Sequence, residues 1–351
     1  MILYDSKQWL DDIDKVLNKL SELENLENNS ILITGSTGLI GSSIVDLLLR
    51  YNDTHSHKIN IYAAGRRKDK YHSRFGYLTE REDLSFVFYD ALQEKVNIKN
   101  HIDYIIHTAS NAYPEAIMKE PVETMASNFI GLKSLLDFSR EKNVKRVLFV
   151  SSSEVYGKKQ NLEPFQENEY GYIDILNPRN SYSIGKRAAE TLLASYNNEY
   201  SIDFVIARPG HIYGPTASKS DNRASSAFAF AVARGENIVM KSDGSQLRSY
   251  CYSLDCASAI IKILLLGESS KAYNISNPDS VITIRQMADI LAQSAEVKLI
   301  FEEASAEEKK SFNPMSNSSL DSSSLIKLGW EGCFNASKGL EHTFRIIKEL
   351  L

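Results

Sequence analysis

The chain has 351 residues, a formal net charge of −5 and 43% hydrophobic residues. That is enough for one large domain or two smaller ones with a sizeable core, and the mildly acidic balance speaks against a dedicated nucleic-acid binder. No apolar run approaches the roughly 20 residues that span a bilayer, and the longest, around Ala259–Leu266, is interrupted by Lys262.

Residues 1–29 precede the first strand signal. Trp9, Leu10, Ile13, Val16, Leu17, Leu20, Leu23 and Leu26 recur at helical spacing, which predicts an amphipathic helix laid on the domain, or else an oligomer contact. From Ser30 strands and helices alternate. Strands are predicted at Ile31–Thr34, Ile59–Ala64, Leu84–Tyr89, Tyr104–Thr108, Arg146–Ser151 and Phe204–Arg208. Helices are predicted at Leu39–Leu49, within Val122–Arg140 and at Arg187–Tyr200. Such alternation implies an α/β fold with a doubly wound parallel sheet covered on both faces.

Thr34-Gly35-Ser36-Thr37-Gly38-Leu39-Ile40-Gly41 follows the first strand and opens a helix. Glycines there permit a tight turn and let backbone N–H groups approach a pyrophosphate at a helix N-terminus. Gly35, Thr37, Gly38, Leu39, Ile40 and Gly41 are therefore candidate dinucleotide contacts. The second strand ends in Ala63-Ala64-Gly65-Arg66-Arg67-Lys68, with no carboxylate for the ribose hydroxyls. Arg66 and Arg67 could fork onto a 2′-phosphate, so the reading favours NADP over NAD. Asp90, after the third strand, could accept from an adenine amino group or simply close a turn.

Strand five runs into Ser151-Ser152-Ser153-Glu154-Val155-Tyr156-Gly157, at the carboxyl end of the sheet where ligands of such folds bind. Tyr182 and Lys186, at i and i+4, share one helix face. A nearby ammonium would lower the phenol pKa, so that the pair could move a hydroxyl proton while nicotinamide takes a hydride.

After Pro209 the rhythm changes. A helix is predicted at Ser225–Arg234, a strand at Ile238–Lys241 and a helix near Asp255–Leu265. A strand-to-helix unit follows at Ile282–Leu291, then a strand at Val297–Phe301 and a serine-rich loop at Ser316–Ser324. Three parts are expected: the extension 1–29, a dinucleotide-binding domain 30–208 and a mainly substrate-binding lobe 209–351, whose residues 245–280 return in part to the first domain. Cys251, Cys256 and Cys333 make an odd count without metal-ligand spacing. That points to a reducing, cytoplasmic location and to no metal site.

Taken together, Thr34–Gly41, His107-Thr108-Ala109-Ser110, Asn128, Ser151–Gly157, Tyr182–Lys186 and Arg208–Pro215 resemble the extended short-chain dehydrogenase/reductase family. The resemblance implies a Rossmann domain with a smaller C-terminal lobe, acting on nucleotide-diphosphate sugars. It implies Tyr182 as base with Lys186 as its partner, both also at the cofactor, and Ser152 at the sugar 4-hydroxyl. It further implies cofactor contacts from Asp90, Ala91, Thr108, Ala109, Ser110, Arg208, Pro209 and His211, and substrate contacts from Ser153, His211, Arg223 and Arg248. Glu154 matches a glutamate of the 4,6-dehydratase and nucleotide-glucuronate decarboxylase branches. The expected reaction is oxidation at carbon 4, then elimination, decarboxylation or epimerisation. A 4-keto-sugar reductase and a non-catalytic dinucleotide sensor are the alternatives. His211 stands where the family usually has Asn. The family often forms homodimers through two helices per subunit, here near Val122–Arg140 and Ser181–Tyr200.

Overall fold

A computed structural model describes residues 2–110, 112, 114–305 and 315–351. Seven strands form the main sheet: β1 (Ser30–Thr34), β2 (Asn60–Gly65), β3 (Leu84–Phe88), β4 (Tyr104–His107), β5 (Arg146–Val150), β6 (Phe204–Pro209) and β10 (Ala272–Ile275). Their order is β10-β6-β5-β4-β1-β2-β3, and every pairing is parallel. Parallel strands need crossovers, and a sheet buried on both faces reads as continuous apolar runs such as Ile31-Leu32-Ile33.

Helices α2 (Leu39–Thr54), α5 (Pro121–Lys142), α6 (Ser181–Tyr200) and α8 (Ser253–Leu266) cover the sheet. Alternation along β6 splits its side chains: Val205 and Ala207 join one core cluster, Phe204 and Ile206 the other. The doubly wound architecture follows from this covering of both faces.

A smaller lobe lies beyond β6. There β9 (Leu247–Tyr252) is the hub, pairing with β7 (His211–Tyr213), β11 (Val281–Thr283) and β13 (Asn317–Ser318). Separately, β8 (Ile238–Met240) pairs with β12 (Leu299–Phe301). The serine-rich stretch expected as a loop thus supplies β13 and the helix Ser323–Lys327.

The N-terminal extension is not one helix. Ser6 caps α1 (Lys7–Leu17), and a 3-10 segment follows over Ser21–Leu26. Trp9, Ile13, Val16, Leu20, Leu23 and Leu26 are all buried in the main core, so the stripe is core and not a partner surface. Its polar side is anchored too. Buried Asp12 accepts from Tyr252 Oη at 2.9 Å and meets His342 Nδ1 at 2.8 Å, on the C-terminal helix Ala336–Leu350. The Trp9 indole donates to Asp46 of α2 at 2.9 Å. Among the described residues, no helix is long and apolar enough to cross a membrane.

Candidate active site

Two layers meet at the carboxyl ends of the strands. The first is a cleft of ≈ 570 Å³ lined by Gly35–Gly41, Arg66, Arg67, Lys70, Asp90, Ala91, Thr108, Ala109, Ser110 and Arg223. Gly35 has φ +67°, and a Cβ there would press on Thr108 and the Ala109 backbone, so the tight turn requires glycine. Gly38 caps α2 without any side-chain acceptor. The first-turn N–H groups of a 16-residue helix therefore face the cleft unsatisfied, which suits a pyrophosphate. The residues present fit a dinucleotide on that observation.

Around the turn, Thr108 Oγ1 donates to the Thr34 carbonyl at 2.7 Å and Ser110 Oγ to Asn128 at 3.1 Å. Asp90 accepts from the Leu92 N–H at 3.1 Å, so it closes a turn while lining the cleft. Arg67 is tied to Asp69. Among the described residues, Arg66 and the unanticipated Lys70 stand in no ion pair.

The second layer is built by β5, the loop after it and α6. Ser152 is extended and accepts from the Glu154 N–H at 3.2 Å, starting a 3-10 turn over Ser153–Tyr156 in which Ser153 is buried. Tyr182, one residue into α6, is buried. Burial is the main force on its phenol, raising the pKa to about 12; Glu154 pushes the same way, while a hydrogen bond with Ser152, Arg223 and Arg179 oppose.

Lys186 is also buried, and desolvation brings it down to about 7. Its ammonium donates to the Val150 carbonyl and lies 5.8 Å from the Tyr182 ring centroid. The expectation that Lys186 lowers the phenol pKa is therefore corrected: burial outweighs it, and the ammonium is turned to the backbone.

Glu154 is held more firmly than sequence suggested. Arg179 grips both carboxylate oxygens at 3.1 Å, and Ser183 Oγ donates to Oε2 at 3.0 Å. Neither partner was singled out beforehand, although they stand three residues before and one after Tyr182. Arg223 is bound to Asp221, at 3.0 Å from Nε. Arg248 is only 3% exposed, and its one hydrogen bond among the described residues goes to the neighbouring Leu247 carbonyl. Burial lowers its pKa. Burial first, then Arg248 and Arg223, drive His211 down to about 3, so its imidazole is neutral. Its buried Nδ1 has no partner among the described residues.

Three expected cofactor contacts lie outside the lining of the glycine cleft. Arg208 points to the α6 face with Phe204 and Ile206, where it pairs with Glu190 at 2.6 Å and donates to Tyr156 Oη at 3.0 Å. It lines a separate cavity of ≈ 890 Å³. Pro209 is paired with Ile275 in the sheet. His211 is in β7 opposite Tyr250, on the Arg248 side of the site and outside the glycine cleft. No cluster of potential metal ligands occurs among the described residues.

The sequence matches the NAD dependent epimerase/dehydratase family over residues 31–276. UDP-glucuronic acid decarboxylase 3 of Arabidopsis thaliana is 30% identical over 329 residues, 91% of this chain and 90% of the plant protein. UDP-glucuronic acid decarboxylase 1 of Xenopus tropicalis is 25% identical, covering 94% and 74% respectively. Among solved structures, UDP-glucose 4-epimerase of Thermotoga maritima aligns with a TM-score of 0.76 at 22% identity, covering 92% of this chain and 99% of that one. UDP-glucuronic acid 4-epimerase of Bacillus cereus, solved with UDP-glucuronic acid and NAD, gives 0.76 at 21% identity, covering 92% and 100%.

Proposed function

The chain belongs to the NAD-dependent epimerase/dehydratase family, and we propose that it oxidises carbon 4 of a nucleotide-diphosphate hexuronate and then releases carbon dioxide. It is an enzyme, which sets the sensor alternative aside. The observation that carries the reading is the meeting of Ser152, Glu154 and Tyr182 at the start of α6, with Arg223, which lines the dinucleotide cleft, acting on the same phenol.

When bound, a nicotinamide dinucleotide supplies the hydride acceptor. The Gly35–Gly41 turn would hold its pyrophosphate, and Asp90, Ala91 and Thr108–Ser110 would line its flank. Tyr182 takes the proton of the sugar 4-hydroxyl, assisted by Ser152. Lys186 is held on the Val150 carbonyl, one helical turn from Tyr182. The resulting ketone is β to the carboxylate. The C5–C6 bond can then break, with its electron pair moving onto the carbon 4 oxygen; carbon 5 then takes up one proton, which the partly exposed Glu154 would relay from solvent, and the product leaves as the 4-ketone unless the hydride is returned to carbon 4. Arg248 is a buried cation with no carboxylate in an ion pair among the described residues and is suited to an anionic substrate group. The neutral His211 next to it offers one donor and one acceptor on separate ring nitrogens, where an amide would offer two donor hydrogens and a carbonyl oxygen. The similarity to UDP-glucuronic acid decarboxylases over 91% of the chain favours decarboxylation over elimination or epimerisation.

Arg66 just after β2 and Lys70 in the helix Lys68–Phe75, in no ion pair among the described residues, favour NADP over NAD. The exposed apolar stripe Val122, Met125 and Phe129 on α5 favours a homodimer packed through α5 and α6. Residues 30–208 would carry the dinucleotide and 209–351 most of the sugar contacts. The free thiols Cys251, Cys256 and Cys333 suit a cytoplasmic setting. The deciding experiment is incubation with a panel of nucleotide sugars, read by product mass. Loss of carbon dioxide from a hexuronate supports the reading. Loss of water, or an unchanged mass with inverted carbon 4, replaces decarboxylation by elimination or epimerisation.

A further inference from the structure

Arg179 binds Glu154, a group that the carbon 4 oxidation derived above does not use. Its guanidinium is 90% withdrawn from solvent, on a single 3-10 turn, Pro178–Asn180, capped by Asn177. Both terminal nitrogens go to Glu154, Nη1 to Oε2 and Nη2 to Oε1, each at 3.1 Å. Ser183 adds a second donor to Oε2 at 3.0 Å. The two carboxylate oxygens are thus unequal. Oε2 accepts two bonds and is saturated; Oε1 accepts one and keeps a lone pair.

We infer that Arg179 is a positioning residue for the step after oxidation, holding Glu154 so that Oε1 alone can take up a proton from solvent and pass it to carbon 5 of the sugar. The inference rests on the functional reading above. Arg179 and Ser183 bracket Tyr182 in sequence, and Ser152 caps the Glu154 turn through its backbone N–H at 3.2 Å. The group that starts the reaction and the group that continues it are therefore held by one rigid unit: the 3-10 turn, the start of α6 and the serine loop. Without the fork, Glu154 can still sit near the substrate, but its productive oxygen is no longer selected. A misplacement of this kind slows the second step more than the first.

The test uses the full-length enzyme with its nucleotide hexuronate and reads two steps separately. Reduced-cofactor absorbance reports carbon 4 oxidation, and mass spectrometry reports the ratio of released 4-keto intermediate to final product. Arg179→Gln removes one of the cations that oppose the rise of the Tyr182 pKa, so oxidation slows as well, but the second step should slow by a further ~10-fold or more, within what proton transfer supplies, and keto intermediate should be released. Arg179→Lys, with one donor in place of a fork, should fall between and serves as the readout if the glutamine variant does not fold. An unchanged product ratio in a folded variant, or equal slowing of both steps, overturns the inference while leaving the functional reading intact. A wild-type enzyme that oxidises no nucleotide sugar overturns both.

Discussion

Lys186 donates to the carbonyl of Val150 at 2.8 Å, so the ammonium is fixed to the last residue of β5, directly beneath the loop carrying Ser152. The same lysine lies over the Phe149 ring at 4.5 Å. Burial lowers the pKa of that ammonium against the pull of Glu190, and the Tyr182 phenol has Ser152, Arg223 and Arg179 to oppose its own burial. Tyr182→Phe should lower turnover by at least ~100-fold, the lower end of what a general base contributes, with dinucleotide affinity unchanged in a fluorescence titration. Turnover within tenfold of wild type would remove Tyr182 from its role.

Glu154→Gln keeps the shape of the side chain but replaces one oxygen with a donor facing Arg179 or Ser183. Carbon 4 oxidation should persist, visible as cofactor reduction in a single turnover, while decarboxylated product falls by ~100-fold or more. Normal product yield would assign the second step to another group.

Arg66→Asp removes a cation from just after β2 and adds the carboxylate that would suit ribose hydroxyls. The ratio of NADP to NAD affinity should drop by ~10-fold or more, since charge-assisted bonds to phosphate contribute about 1.5–3 kcal/mol. An unchanged ratio would reject the 2′-phosphate reading and favour NAD.

Asp255 is fully buried and accepts from the Cys333 and Phe334 N–H groups at 2.8 and 3.0 Å. Burial raises its pKa from 3.8 to about 7. A carboxyl with a raised folded pKa contributes stability that is present at low pH and lost as pH climbs from about 4 through 7. One proton corresponds to about 1.4 kcal/mol per pH unit within that window. Asp255→Asn should therefore melt lower than wild type at pH 4, and the gap should narrow towards pH 8. A gap independent of pH in thermal scans would contradict the assignment.

Trp9→Ala opens a hole at a position with no solvent exposure and removes the indole bond to Asp46. The expected cost is about 3–5 kcal/mol, read from urea unfolding. A loss below about 1 kcal/mol would mean that the extension is only loosely attached.

The central strands were legible because parallel, doubly covered strands must be apolar throughout, as in Arg146–Val150. The glycine turn was legible because a backbone turn constrains residue type directly. The edge strand β10 was missed: Ala272-Tyr273-Asn274-Ile275 is too short and mixed to stand out, and Asn274 is buried there through bonds to Tyr156, Phe165 and Asp321. Helix α3 (Lys68–Phe75) was missed because its sequence, KDKYHSRF, is mostly polar. Arg208 shows a different limit. A motif fixes where the backbone runs, but the two-residue period of β6 turned this side chain to Glu190. The Arg179–Glu154 fork joins residues 25 apart across a loop, a separation that no periodicity encodes.

β10 lies in the nucleotide-binding sheet although the chain reaches it only after building β7, β8 and β9. Sugar specificity therefore cannot be transplanted between relatives with a single splice after β6. A chimera needs a second junction ahead of Ala272, and it must carry the donor's N-terminal stretch as well, because Asp12 is locked to Tyr252 and His342.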